Sequence, residues 1–162
     1  MVSTLTADGA MTVPRLLNAG VVTCVVVGDI GFEPALGEAA EETLVRQGAA
    51  VVMPTDAGLV GAFRRVTDAV RATLTLRADL PSSRMALCAG ETGARGEFGP
   101  IADKATRLLS GADAGSTLLS KVAGSLAIDH LPRNSALLER STDDASERCY
   151  ELLDERPCAR PL

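Results

Sequence analysis

Seven consecutive residues, Val21-Val22-Thr23-Cys24-Val25-Val26-Val27, carry no charge and are mostly β-branched. Such a run reads as a strand, and it is far too short for the roughly 20 residues that a membrane helix needs. It is followed by Pro34 to Gln47, where Leu36, Ala40, Leu44 and Val45 recur at helical spacing. Ala49–Met53 and Gly58–Phe63 then read as two strands joined by the turn Pro54-Thr55-Asp56-Ala57, a hairpin. Thr67 is placed to cap a helix that runs to about Asp79, with Val70, Leu74 and Arg77 marking its repeat, and Pro81-Ser82-Ser83 separates it from a strand at Arg84–Ala89. The order β-α-β-β-α-β predicts an α+β fold with a ferredoxin-like core, a sheet with helices packed on one face.

The rest of the chain supplies fewer elements. Gly90, Gly93, Gly96 and Gly99 punctuate a tight connection, and no Gly-Lys-Ser/Thr follows them, so they do not form a phosphate-binding P-loop. A helix from Pro100 to Ser110 begins on Pro and stops at Gly111. Thr117–Leu119 reads as a short strand before a helix capped by Ser120, and Arg148–Leu152 as a closing strand.

Composition narrows the function classes. The chain has 162 residues, 46% hydrophobic and 23% charged, which fits one domain with a real core. Aromatic residues make up only 2%, so the core must be built from Ala, Val and Leu, and there is no platform for stacking bases. The net charge of −5 points the same way, and nucleic acid is not an expected direct partner. No segment reads as a signal or membrane span, so a cytoplasmic location with no membrane partner is expected. The four cysteines, Cys24, Cys88, Cys149 and Cys158, show no C-x-x-C pairing and are expected to be free and structural. His130 is the only histidine and has no ligand-spaced partner; it is expected on a loop or surface. Glu38, Glu41, Glu42, Asp143 and Asp144 read as solvated acidic faces.

One segment is more specific. Phe98-Gly99-Pro100-Ile101-Ala102-Asp103-Lys104-Ala105-Thr106-Arg107-Leu108-Leu109, followed by Gly115-Ser116-Thr117-Leu118-Leu119-Ser120, resembles the FGPxVNxAARLL…GGQxLLS signature of class III adenylate/guanylate cyclase catalytic domains. Arg84 to Glu91 is similar to that family's RIGIHTGE. The resemblance spans about Val21 to Leu152 and implies a cyclase-homology domain over residues 19–155. Residues 1–18 would then be an N-terminal extension and residues 156–162 a tail, both ends poorly ordered.

The resemblance also implies a site, and the chain departs from it. In the family two divalent ions sit on paired aspartates and activate the ribose hydroxyl of the nucleotide. Asp29 falls at the first position; on residue type alone it is equally a strand-terminal Asp closing a turn with Gly28 and Gly31. Aligning the hairpin puts Ala57 at the second position, and Asp56, one residue early, would replace it only across a bulge. The base-reading positions hold Met53 and Gly96, which offer no strong hydrogen bond to a base edge, so the usual readout is lost; Met53 reads equally as core filling. Arg107 keeps the family's catalytic arginine, whereas Asp103 replaces its asparagine, and the two also fit a plain i,i+4 ion pair.

Family sites form between two protomers, and this chain departs from the pattern in both halves. The expectation is a degenerate, dimerising cyclase-like domain, inactive as an enzyme, with a regulatory or ligand-binding role toward a nucleotide or other small ligand, and no certain cofactor. The alternative is a weakly active or altered-specificity nucleotide cyclase using Asp29, Asp56 and Arg107 with magnesium or manganese. A third reading is a structural dimer module whose cleft is packed shut around Met53.

Overall fold

The computed structural model describes residues 20–29, 34–141 and 148–154. The expected extension at 1–18, the tail at 156–162, and Gly31, Asp143, Asp144 and Cys158 lie outside the described residues. In chain order the elements are β1 (Val21–Val27), α1 (Pro34–Arg46), β2 (Val51–Thr55), β3 (Gly58–Phe63), α2 (Val66–Asp79), β4 (Met85–Glu91), α3 (Gly99–Ser110), β5 (Thr117–Ser120), α4 (Lys121–Ala127), a short 3₁₀ turn (Ile128–His130), β6 (Ser135–Ser141) and β7 (Arg148–Asp154). The strands form one seven-stranded sheet in the order β2-β3-β1-β4-β5-β7-β6. Only the β4–β5 pairing is parallel.

The α+β class and the predicted β-α-β-β-α-β order are present, on a larger sheet. β1 lies near its centre and is buried on both faces, which explains its unbroken apolar run. Val25 and Val27 point into one apolar cluster, with Ala40 and Leu44 of α1, Val70 and Leu74 of α2, and Ala123 and Ala127 of α4. Val22, Cys24 and Val26 point into a second cluster, under Ile101, Ala105 and Leu109 of α3. As expected for the β-α-β-β-α-β core, its helices α1 and α2 share one face, which α4 also covers; α3, beyond that core, covers the other. An amphipathic stripe shows that a helix packs on a sheet but not on which side.

Local chemistry explains several boundaries. Phe98 is fully buried in the second cluster, and its carbonyl accepts the first α3 hydrogen bonds, from Ile101 and Ala102 N–H, both at 3.0 Å. Pro100 then occupies the first turn, where a missing N–H costs nothing. Ser120 caps α4 by accepting from Ala123 N–H, as expected. α4 sits close on β7: a Cβ at Gly124 would lie 2.3 Å from the Tyr150 ring.

Other expectations are corrected. Thr67 does not cap α2; the cap position is Arg65, with no side-chain bond, and Thr67 lies inside the first turn. Val45 points outward at 57% exposure, and buried Thr43 takes a place on the inner face of α1. β6 was not foreseen. It is an edge strand whose Glu139 and Arg140 pair across the ladder with Arg148 and Glu151 of β7.

Candidate functional site

The hairpin after α1 closes with two residues, Asp56 and Ala57, between Thr55 and Gly58. Gly58 has φ +141, and a Cβ there would lie 2.0 Å from the Val27 carbonyl oxygen, so only glycine lets this turn press against the end of β1. The β1–β3 ladder ends at Val27↔Leu59, and beyond it Gly58 and the Ala57 carbonyl lie close to Gly28. Ala57 is half-buried and packs against the second apolar cluster, whereas Asp56 is exposed.

Asp29 itself adopts a left-handed conformation, φ +63. Its carboxylate is turned toward the start of β4. Arg84 Nε donates to Oδ2 at 2.9 Å and Nη2 to Oδ1 at 3.1 Å, and the Arg84 backbone N–H also reaches Oδ2 at 3.4 Å. The two-pronged geometry suits a planar guanidinium and a carboxylate. Hydrogen bonds from the Arg84 side chain hold the Asp29 carboxyl below its ordinary range, and the same pairing raises Arg84. The adjoining backbone fixes the pair, since Gly28 N–H donates to the Arg84 carbonyl at 2.9 Å and the buried Ser83 hydroxyl donates to the Gly28 carbonyl at 2.8 Å.

A further arginine holds this segment in place. Arg77, half-buried at the end of α2, donates to the carbonyls of Leu80, Pro81, Ser83 and Ser116 and to Thr117 Oγ1. It fastens the α2–β4 connection to the start of β5. Sequence reasoning counted Arg77 only as part of a helical repeat; an arginine on the inner face of an otherwise apolar stripe was the available signal.

Met53, on β2, is partly buried and packs against the second cluster, in agreement with core filling. Gly96 is buried, with φ +81 in a tight turn where its N–H donates to Gly93 at 2.9 Å. Asp103 and Arg107 are both exposed on α3, and they do not form the i,i+4 ion pair; the ion pairs among the described residues lie elsewhere.

Arg107 lines an open groove of about 1000 Å³ between α3 and the strands β5, β7 and β6. Five basic side chains, Lys104, Arg107, Lys121, Arg140 and Arg148, line it against two acidic ones, Asp113 and Glu151. Arg140 and Arg148 are paired with Glu151 and Glu139, while Lys104, Arg107 and Lys121 make no ion pair among the described residues. Neither Asp29 nor Asp56 lines this groove. Leu109, on the other side of the helix from Arg107, packs against Gly28; a Cβ there would lie 3.0 Å from it.

This fold has known counterparts. The structure is similar to the adenylate/guanylate cyclase/hydrolase from Silicibacter pomeroyi, with a TM-score of 0.64, 12% identity, and coverage of 86% of this chain and 99% of that one. It is likewise similar to the adenylyl cyclase CyaB from P. aeruginosa, at 0.66, 13%, 86% and 97%. The fold is that of adenylate/guanylate cyclase catalytic domains. The guanylate cyclase domain of RhGC from Catenaria anguillulae, solved in complex with GTP, matches at 0.63 with 12% identity, over 86% of this chain and 98% of that one. No family model and no curated protein matches the sequence. At such identities the cyclase fold is established and its chemistry is not.

Divalent metal at the paired-aspartate positions is what such a fold implies. The donor set here fits it poorly. The Asp29 carboxylate already accepts two hydrogen bonds from a guanidinium, Ala57 brings no carboxylate to the hairpin turn, and no group of three or more His, Cys, Asp or Glu side chains is placed to hold an ion among the described residues. The thiols offer nothing in its stead. Cys24 and Cys149 are free, and burial, helped by the neighbouring Cys88, pushes Cys24 up to about 12. No helix among the described residues is long and apolar enough to cross a membrane.

Proposed function

We propose that this chain is a degenerate cyclase-fold domain that has lost most or all cyclase activity and acts by binding, as a dimerising regulatory or ligand-binding module. The observation that supports the reading is the pairing at the hairpin end of the sheet, where Asp29 is held by Arg84; on the resemblance, Ala57 takes the place of the second carboxylate. Met53 and Gly96 supply no base-edge hydrogen bonds, so a ligand here would not be read as a purine in the usual way.

The ligand class favoured by the groove is a small anion or a nucleotide. Lys104, Arg107 and Lys121, which make no ion pair among the described residues, give it a positive character that suits phosphate. The GTP complex of the Catenaria domain is in keeping with that class. Solved structures with this fold include monomeric and dimeric guanylyl cyclase domains, both from Blastocladiella emersonii, and a homodimer is the form proposed here.

Exposed Arg107 keeps the second reading in play, in which a weakly active cyclase uses Asp29, Asp56 and Arg107 with magnesium or manganese. The test is cyclic-nucleotide production from ATP, GTP, CTP and UTP in each metal, detected by mass spectrometry, with Arg107→Ala as control and sedimentation to report assembly. No product from a folded protein is the expected outcome. Product that disappears in the Arg107→Ala variant would establish the enzyme reading.

A further inference from the structure

We propose that the groove between α3 and the strands β5, β7 and β6 is a site for inorganic multi-phosphate anions, recognised by charge alone and held by Lys104 and Lys121 beside Arg107. The inference deepens the reading above: it rests on this groove being the ligand site and narrows the ligand to one without a base.

The cations come from separate elements. Lys104 and Arg107 stand three apart on α3 and are neighbours on its surface, while Lys121 opens α4 just beyond the end of β5. All three are exposed, line the groove and make no ion pair among the described residues. Neither lysine falls at a fixed position of the cyclase-like motif. Lys104 takes the variable place between Asp103 and Ala105, and Lys121 follows Leu118-Leu119-Ser120. Their charge is therefore a property of this chain and is not carried by the motif.

The rest of the lining favours charge over a base. Among the described residues that line the groove there is no aromatic, histidine, asparagine or glutamine side chain, so it has neither a ring to stack on a base nor an amide to pair with one. Of its two carboxylates, Glu151 is engaged by Arg140, and Asp113 is exposed and repels phosphate. Ser120 accepts from Ala123 N–H at 3.2 Å, which leaves its own hydroxyl proton to donate. Beneath the rim, Leu118 and Cys149 belong to a small apolar cluster with Ala112, and low-dielectric walls of this kind focus the field of the charges above them. Cations spread over two helices call for an anion that carries several charged groups in a row, which a single orthophosphate does not provide.

The experiment is isothermal titration of the full chain with inorganic tripolyphosphate, orthophosphate, ATP and GTP, with EDTA present so that only the chain's own cations neutralise the ligand. Tripolyphosphate should bind at least tenfold more tightly than orthophosphate and no more than threefold more weakly than either nucleotide. Lys104→Gln and Lys121→Gln should each weaken tripolyphosphate, ATP and GTP alike, by roughly tenfold, the size expected for loss of a charged hydrogen-bond donor. Asp113→Asn should tighten all three. A nucleotide bound more than threefold more tightly than tripolyphosphate would overturn the proposal, because a base would then be read. So would weaker GTP binding in Asp113→Asn, lysine variants that bind tripolyphosphate as the wild type does, or no tripolyphosphate binding at all. The substituted side chains are exposed, and circular dichroism checks each fold. Cyclic-nucleotide product would sink the inactive-domain reading whatever the groove binds, whereas a preference for one nucleotide without product would sink this inference alone.

Discussion

Gly58→Ala should be among the most damaging single-methyl additions in this protein. The added Cβ would lie 2.0 Å from the Val27 carbonyl oxygen and 3.1 Å from the Gly28 Cα, and both are backbone atoms that cannot swing aside. The residue also sits at φ +141, where side chains are rarely accommodated. Holding a non-glycine residue in such a conformation costs about 1–3 kcal/mol. Relieving the overlap by shifting packed backbone costs about another 1–3 kcal/mol. A total near 4 kcal/mol corresponds to a fall in Tm of roughly 8–16 °C for a domain of this size. The assay is thermal and urea unfolding by circular dichroism at neutral pH, with Gly37→Ala as the matched control. Gly37 lies within α1 with nothing inside 4 Å of its would-be Cβ, so alanine there should stabilise by about 0.5–1 kcal/mol. A loss below about 1 kcal/mol for Gly58→Ala would refute the reasoning, because it would mean that the hairpin does not press on β1.

Arg77→Ala should cost about 2–4 kcal/mol in the same unfolding assay, since it strips charged donors from carbonyls in a partly buried connection; Arg77→Lys should recover only part, because an ammonium cannot span acceptors on two elements. Asp29→Asn should lower stability modestly, by about 0.2–1 kcal/mol, as befits a pair open to solvent. The sign is set by the lowered Asp29 carboxyl: the contribution is present above the ordinary aspartate value near 3.9 and fades as pH falls through the lower folded value, so the two proteins should converge in acid. Cys24 should resist alkylation in the native protein at pH 8 and react only on unfolding, measured by mass spectrometry; rapid native labelling would contradict its burial beneath α3.

Much of this fold was legible because its signals are local. The β-branched run of β1, the breaker chemistry between β2 and β3, the Phe98-Gly99-Pro100 entry to α3 and the Ser120 cap each need only neighbouring residues, and all four appear in the structure. β6 was missed because Ser135–Ser141 is an exposed edge strand containing Glu139 and Arg140; its identity comes from pairing with β7, a relation that no local pattern encodes. The site was legible as residue types and illegible as partnerships. Asp29 was singled out, but its partner Arg84 lies 55 residues away, at the start of a strand and of the RIGIHTGE-like segment, with nothing local to join the two. Asp103 and Arg107 have the spacing of an ion pair on a helix and do not make one, since spacing permits such contacts without requiring them.

The last turn of α3 is shared between two places. Arg107 lines the basic groove on one side of the helix, while Leu109, on the other, bears on Gly28, the residue before Asp29. Both side chains stand on the same turn, so a substitution that displaces this turn would be felt at the groove and at the hairpin end of the sheet together.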